Sequence, residues 1–202
     1  MDTHLTLKII ILGSSEVGKT CILNRYFNNE FKENSLSTIG IDFQTKFFKF
    51  EDRKIKVNYT DTAGQEKFRA ISVNYIKGTN GVILVFDITK NESFDLLESW
   101  MNELRENSKV DISKVLIGNK SDLEEKRQVT KEEAEKFAQK IGCKYFECSA
   151  KTGNNVNDAL DEIARLTYFS VKDSEEDSRD SIKLEKDNVN DKDKAEQKRK
   201  CC

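Results

Sequence analysis

Residues Leu5 to Leu12 form a nearly unbroken apolar run that stops at Gly13, and a helical spacing of Ile22, Leu23, Tyr26 and Phe27 follows. An apolar run of this length without alternation marks a strand covered on both faces. Between strand and helix stands Gly13-Ser-Ser-Glu-Val-Gly18-Lys19-Thr20, which fits G-x-x-x-x-G-K-[ST] in the strand-loop-helix setting that its mechanism requires. Backbone N–H groups of Gly13, Ser15, Glu16, Val17 and Gly18, with the helix start through Cys21, can wrap phosphates there. Lys19 would reach the β- and γ-phosphates, and the Thr20 hydroxyl would ligate Mg²⁺.

The rest of the chain repeats the alternation of strand and helix. Ile41 to Phe50 and Lys54 to Tyr59 alternate apolar with polar residues around Glu51-Asp52-Arg53, as an antiparallel hairpin does. Gly81 to Phe86, Val115 to Ile117 and Lys144 to Cys148 are further strands. Phe94, Leu97, Trp100, Met101 and Leu104 share one helical face, where Trp100 serves packing. Thr130 with Glu133 makes a capping box for a helix that stops at Gly142, and a last helix carries Val156, Ala159, Leu160 and Ile163. The expected fold is α/β, a P-loop NTPase architecture with a six-stranded, mostly parallel sheet and helices on both faces.

A phosphate cradle does not choose a base, so ATPases and nucleotide kinases stay open until Asn119-Lys120-Ser121-Asp122. This segment follows a buried strand, at the edge where ligands bind in open α/β sheets. A carboxylate there can accept from the N1–H and the exocyclic amine of guanine, a pair that adenine lacks. Ser149-Ala150-Lys151, after the last strand, would add a backbone N–H to the guanine oxygen and a lysine stem against the ring.

These motifs, in this order over residues 5 to about 168, resemble the Ras-superfamily small GTPases and most closely the Rab family. Ile39-Gly-Ile-Asp-Phe43, Gln65-Glu-Lys-Phe-Arg69 and Gly81-Val-Ile-Leu-Val-Phe-Asp-Ile-Thr89 are similar to Rab segments. The resemblance implies a switch that binds GTP or GDP with Mg²⁺, hydrolyses GTP slowly, and regulates vesicle-mediated transport. It makes Thr38 a second metal-ligating threonine that also meets the γ-phosphate, and lets Asp61 hold Mg²⁺ through water. It has the Gly64 N–H sense the γ-phosphate, Gln65 orient the attacking water, and Phe31 pack beside guanine. It also implies effectors that read the GTP state, an exchange factor, a GTPase-activating protein and a prenyl-binding chaperone.

The remaining composition bounds these expectations. At 202 residues the chain suits one domain, residues 1–169, with an appendage. Lys and Arg number 34 against 36 Asp and Glu, so bulk charge does not suggest nucleic acid as a partner. From Ser170 to Cys202 there are nine basic and ten acidic residues with isolated apolar ones, which reads as a disordered tail. The tail ends in Cys201-Cys202, which resembles the Rab signal for two geranylgeranyl groups, as stable anchoring needs. No run is apolar enough to span a bilayer, and the five cysteines form neither a metal-ligand spacing nor a secreted framework. The expected location is the cytoplasmic face of an intracellular or plasma membrane, cycling with cytosol. Three departures from the family pattern stand out. Thr60 replaces a tryptophan, Asn74 to Gly78 replaces an aromatic pair and arginine, and Glu16 replaces a small residue, bringing a carboxylate toward bound phosphate. Two competing readings are a nucleotide-locked module that does not cycle, opposed by Gln65, and an ATPase or small-molecule kinase, opposed by Asn119 to Asp122.

Overall fold

A computed structural model describes residues 5–32, 38, 40–62, 75–108 and 112–175. Six strands form one sheet in the order β2-β3-β1-β4-β5-β6. They are β1 (Leu5–Leu12), β2 (Ile41–Phe50), β3 (Arg53–Thr62), β4 (Gly81–Asp87), β5 (Ser113–Asn119) and β6 (Lys144–Glu147). Only the β2–β3 hairpin is antiparallel, while β1 runs parallel to both β3 and β4, β4 to β5, and β5 to β6. Because β1 lies between strands that come after it on both sides, it is the point where the winding reverses. Ligands of such sheets bind there, beyond the carboxyl ends of the strands.

Among the described residues α1 spans Lys19–Asn28, α2 Asn91–Asp95, α3 Leu97–Asn107 and α4 Lys131–Ile141, a 3-10 turn covers Ser121–Lys126, and α5 is helical from residue 156 to Thr167 in the first compact unit, Met1–Thr167. Strand alternation divides the core in two. Ile10, Leu12, Val82, Leu84, Phe86 and Leu116 pack with Leu97, Trp100, Met101, Leu104, Ala134 and Ala138 of α3 and α4. The opposite face is closed by α5, whose Ile163 and Thr167 lie over Gly81 beside Ile9, and whose Leu160 carbonyl accepts from the Tyr59 hydroxyl at 2.9 Å. Every β4 residue is buried, as its run of apolar residues requires. Thr130 and Glu133 form the expected capping box, and α4 ends at Gly142 in the left-handed region.

Some boundaries move. β3 begins at Arg53 and continues to Thr62, so the polar triplet Thr60-Asp61-Thr62 belongs to the sheet. Pairing with β2, Ile41 against Thr62, holds these residues where their own polarity argues for a loop. β5 likewise reaches Asn119, and β6 stops one residue earlier, at Glu147. The face from Phe94 to Leu104 is interrupted at the exposed Leu96, yet Leu96 N–H reaches Glu92 and Trp100 N–H reaches Leu96, so the ladder persists. The second unit, Tyr168–Cys202, is helical through residue 175, which corrects the expectation of a tail without structure from Ser170. Each residue added to a formed turn gains a backbone bond without a new nucleation cost, and the Ser174 hydroxyl adds a bond to the Ser170 carbonyl at 2.8 Å.

Candidate functional site

Gly13 and Gly18 take positive φ of 152° and 94°, and space forbids a side chain at either. A Cβ on Gly13 would lie 2.2 Å from the Val85 carbonyl oxygen, and one on Gly18 would lie 2.3 Å from the Asn119 amide nitrogen. The loop is thus pressed onto the ends of β4 and β5. Lys19 opens α1 and turns inward; its Nζ donates to the Gly13 and Ser14 carbonyls, both at 2.8 Å. Burial lowers its pKa to about 8, with Asp61 opposing that shift. An ammonium has three donors, so one remains for a phosphate. Glu16 corrects an expectation. Its carboxylate is largely exposed and pairs with Lys90 at 3.0 Å, a cation that holds its pKa down. The loop therefore presents a neutral pair at this position rather than a bare charge.

At the other end of the loop three oxygens converge. The Thr20 hydroxyl donates to Asp61 Oδ2 at 2.6 Å and lies 2.6 Å from the Thr38 hydroxyl. Asp61 Oδ1 is buried with no hydrogen-bond partner, and burial raises the Asp61 pKa, with the neighbouring Asp42 adding to the rise. An orphaned carboxylate oxygen beside two hydroxyls is a hard, oxygen-only donor set, which fits Mg²⁺ better than a softer metal. Among the described residues no group of three or more His, Cys, Asp or Glu gathers. Hydroxyls, one carboxylate, water and phosphate would have to complete the shell.

The residues expected to read a base come together from the ends of β5 and β6. Asn119 is almost fully buried at the end of β5; its Nδ2 donates to the Val17 carbonyl at 2.8 Å and its Oδ1 accepts from the Ala150 N–H at 3.1 Å. It therefore ties the phosphate loop to the loop after β6. Lys120 sits in the left-handed region, φ 67°, and its Nζ meets the fully buried Asp87 at 2.6 Å. Asp122 accepts from the Ser149 hydroxyl at 2.5 Å, and the same Ser149 oxygen accepts from the Thr152 N–H at 3.1 Å. Since Ala150 N–H already serves Asn119, a ligand oxygen at this loop would share that donor. Phe31 follows α1 and is half-buried. Gly64, Gln65, Cys201 and Cys202 lie outside the described residues.

Residues 8–168 match the family model described as Ras family. Ras-related protein Rab-13 of Bos taurus is 44% identical over 162 residues, covering 80% of this chain and 79% of that protein. Ras-related protein Rab-8B of Pongo abelii and Rab-8A of Rattus norvegicus are each 43% identical over 158 residues, 78% of this chain and 76% of theirs. The chain belongs to the Ras family. It is a Rab-like small GTPase of vesicle trafficking, which binds guanine nucleotide and hydrolyses GTP.

Three residues around this small GTPase's site escaped the sequence. Asp87 left a signal, a carboxylate ending an otherwise apolar run, and it now appears as the partner that holds Lys120. Lys90 and Arg25 left none, because Lys90 meets Glu16 across 74 residues and Arg25 meets Ala150 across 125. Nearby, Phe43 and Tyr75 stay exposed with ring centroids 5.8 Å apart. Thr60 is buried opposite Phe43.

Proposed function

We propose that the nucleotide lies along the carboxyl edge of the sheet, phosphates in the loop 13–20 and guanine between Asn119-Lys120, Asp122 and Ser149-Ala150-Lys151. The Thr20 and Thr38 hydroxyls and, through water, Asp61 would hold Mg²⁺, which would supply positive charge against the phosphates. Lys19 spends its remaining donor on the phosphates. Gln65 orients the attacking water, and among the described residues no arginine is placed to serve as a finger in cis, so hydrolysis waits on an activating protein. The Thr38 and Gly64 contacts to the γ-phosphate exist only before hydrolysis, and their loss relaxes both loops. Effectors read that difference at the exposed Phe43 and Tyr75, with Thr60 altering the surface they meet.

Residues 1–169 form the G domain and 170–202 the spacer to Cys201 and Cys202, whose geranylgeranyl groups place the protein on the cytoplasmic face of a membrane. Among the described residues no helix is long and apolar enough to cross one. An exchange factor and a prenyl-binding chaperone complete the cycle with cytosol.

The observation that carries the metal assignment is the orphaned Asp61 Oδ1 beside two hydroxyls 2.6 Å apart. Chelating Mg²⁺ from GDP-loaded protein should speed GDP release at least tenfold, and Asp61→Ala should release GDP fast whether or not Mg²⁺ is present. A wild-type rate that ignores chelation would refute the assignment.

A further inference from the structure

Arg25, in the last turn of α1, places its guanidinium between two segments far apart in sequence. Nε–H donates to the Ala150 carbonyl at 2.9 Å, and Nη2 donates to the Lys151 carbonyl at 2.7 Å. Nη1 donates to the Asn29 carbonyl at 2.8 Å and to its side-chain oxygen at 2.9 Å. Asn29 is the left-handed cap of α1, so the guanidinium is braced by its own helix before it reaches out. Its stem passes Gly153, where an added Cβ would come within 3.5 Å of Arg25 Cδ.

The two carbonyls matter because of what lies on the far side of each peptide. The Ala150 carbonyl and the Lys151 N–H belong to one planar trans unit and point in opposite directions. Fixing the carbonyl on Arg25 therefore fixes the Lys151 N–H away from α1, and the Lys151 carbonyl fixes the following peptide in the same way. The Ala150 N–H is held from the other side by Asn119 Oδ1. Backbone donors here thus have their orientations set from two sides, and hydrogen bonds weaken steeply as such angles open.

We propose that Arg25 is a positioning residue for base recognition, holding the loop 149–152 so that its N–H groups meet the keto oxygen of guanine. This rests on the reading of that loop as part of the base site. The guanidinium sets two parallel donors in a rigid fork against the two carbonyls, a fixed geometry that the flexible point charge of a lysine lacks.

The test uses the full chain loaded with GDP or with 6-thioguanosine diphosphate, in which a poorly accepting sulfur replaces the keto oxygen while N1–H and the amine remain. Dissociation of each is followed against excess unlabelled nucleotide, with thermal melting as the check on folding. Wild type should release the thio analogue faster than GDP. Arg25→Ala should speed GDP release about tenfold, the value of one lost hydrogen bond, and speed release of the thio analogue less than twofold. Arg25→Lys should show the same pattern with a smaller GDP effect, and it decides the matter if the alanine variant does not fold. Equal acceleration of both nucleotides, or an unchanged GDP rate, overturns the proposal. Equal release of the two nucleotides by wild type would instead overturn the underlying base-site reading, and the proposal with it.

Discussion

Replacing Asn119 by alanine tests whether the two halves of the nucleotide site are one mechanical unit. Its amide makes two buried bonds, to the Val17 carbonyl at 2.8 Å and from the Ala150 N–H at 3.1 Å. Each is worth about 1 kcal/mol net, and each partner left buried and unpaired costs about 1–3 kcal/mol. With the nucleotide gone, both loops can relax and recover part of this from water. With it bound they cannot, so about 3 kcal/mol of the loss should fall on the bound state, or about a hundredfold in release rate. Asn119→Asp should do worse, since an acceptor then faces the Val17 carbonyl and a charge is buried. The assay is GDP dissociation in excess Mg²⁺, alongside a thermal melt of the same samples. If Asn119→Ala lowers the melting temperature while GDP release stays within threefold of wild type, the amide stabilises the fold alone and the coupling is wrong.

Two further outcomes each turn on a single carboxylate. Asp122→Asn puts a donor opposite the guanine amine, so GTP affinity should fall and affinity for xanthosine triphosphate rise, and a mutant that still prefers GTP would show that Asp122 does not read the base. Glu162, bonded by Arg165 and Lys144, has its carboxyl held down to about 2 from an ordinary 4.5. A depressed pKa stabilises the fold above the unfolded value, so this contribution is complete above about pH 4.5 and is lost as pH falls through about 2. The partners are solvent-exposed, which trims the effect to about 1–2 kcal/mol. Denaturant titrations of wild type and Glu162→Gln should converge as pH drops from 5 toward 2, and a constant gap would refute the assignment.

What could be read ahead of the structure was what is local. The Leu5 to Leu12 run, the loop to Thr20 and the Thr130 capping box each depend on neighbours within a few residues, and each appears where its pattern put it. Strand ends were less legible. Thr60-Asp61-Thr62 is polar and joins the sheet only because β1 and β2 flank it, and Asn119 extends β5 because β4 pairs with it through Asp87. Glu16 was misread for a related reason, since a carboxylate's meaning depends on the cation opposite, and Lys90 is 74 residues away. The bracing of the loop after β6 by Arg25 has no periodicity behind it at all. Such contacts come from topology, which brings α1 and the end of β6 together.

The β2–β3 register sets Asp42 against Asp61 and Phe43 against Thr60. The exposed ring and the buried carboxylate are thus on adjacent rungs of one ladder, about 3.4 Å apart along the strand. A partner gripping Phe43 and a cation at Asp61 then act on the same stretch of backbone. By thermodynamic reciprocity, a partner that binds the cation-filled form more tightly by some factor must strengthen cation binding by that same factor. A partner with that preference, docked on this ring, would act as a brake on nucleotide escape as well as a reader of it, and its dwell time would set how long the signal lasts.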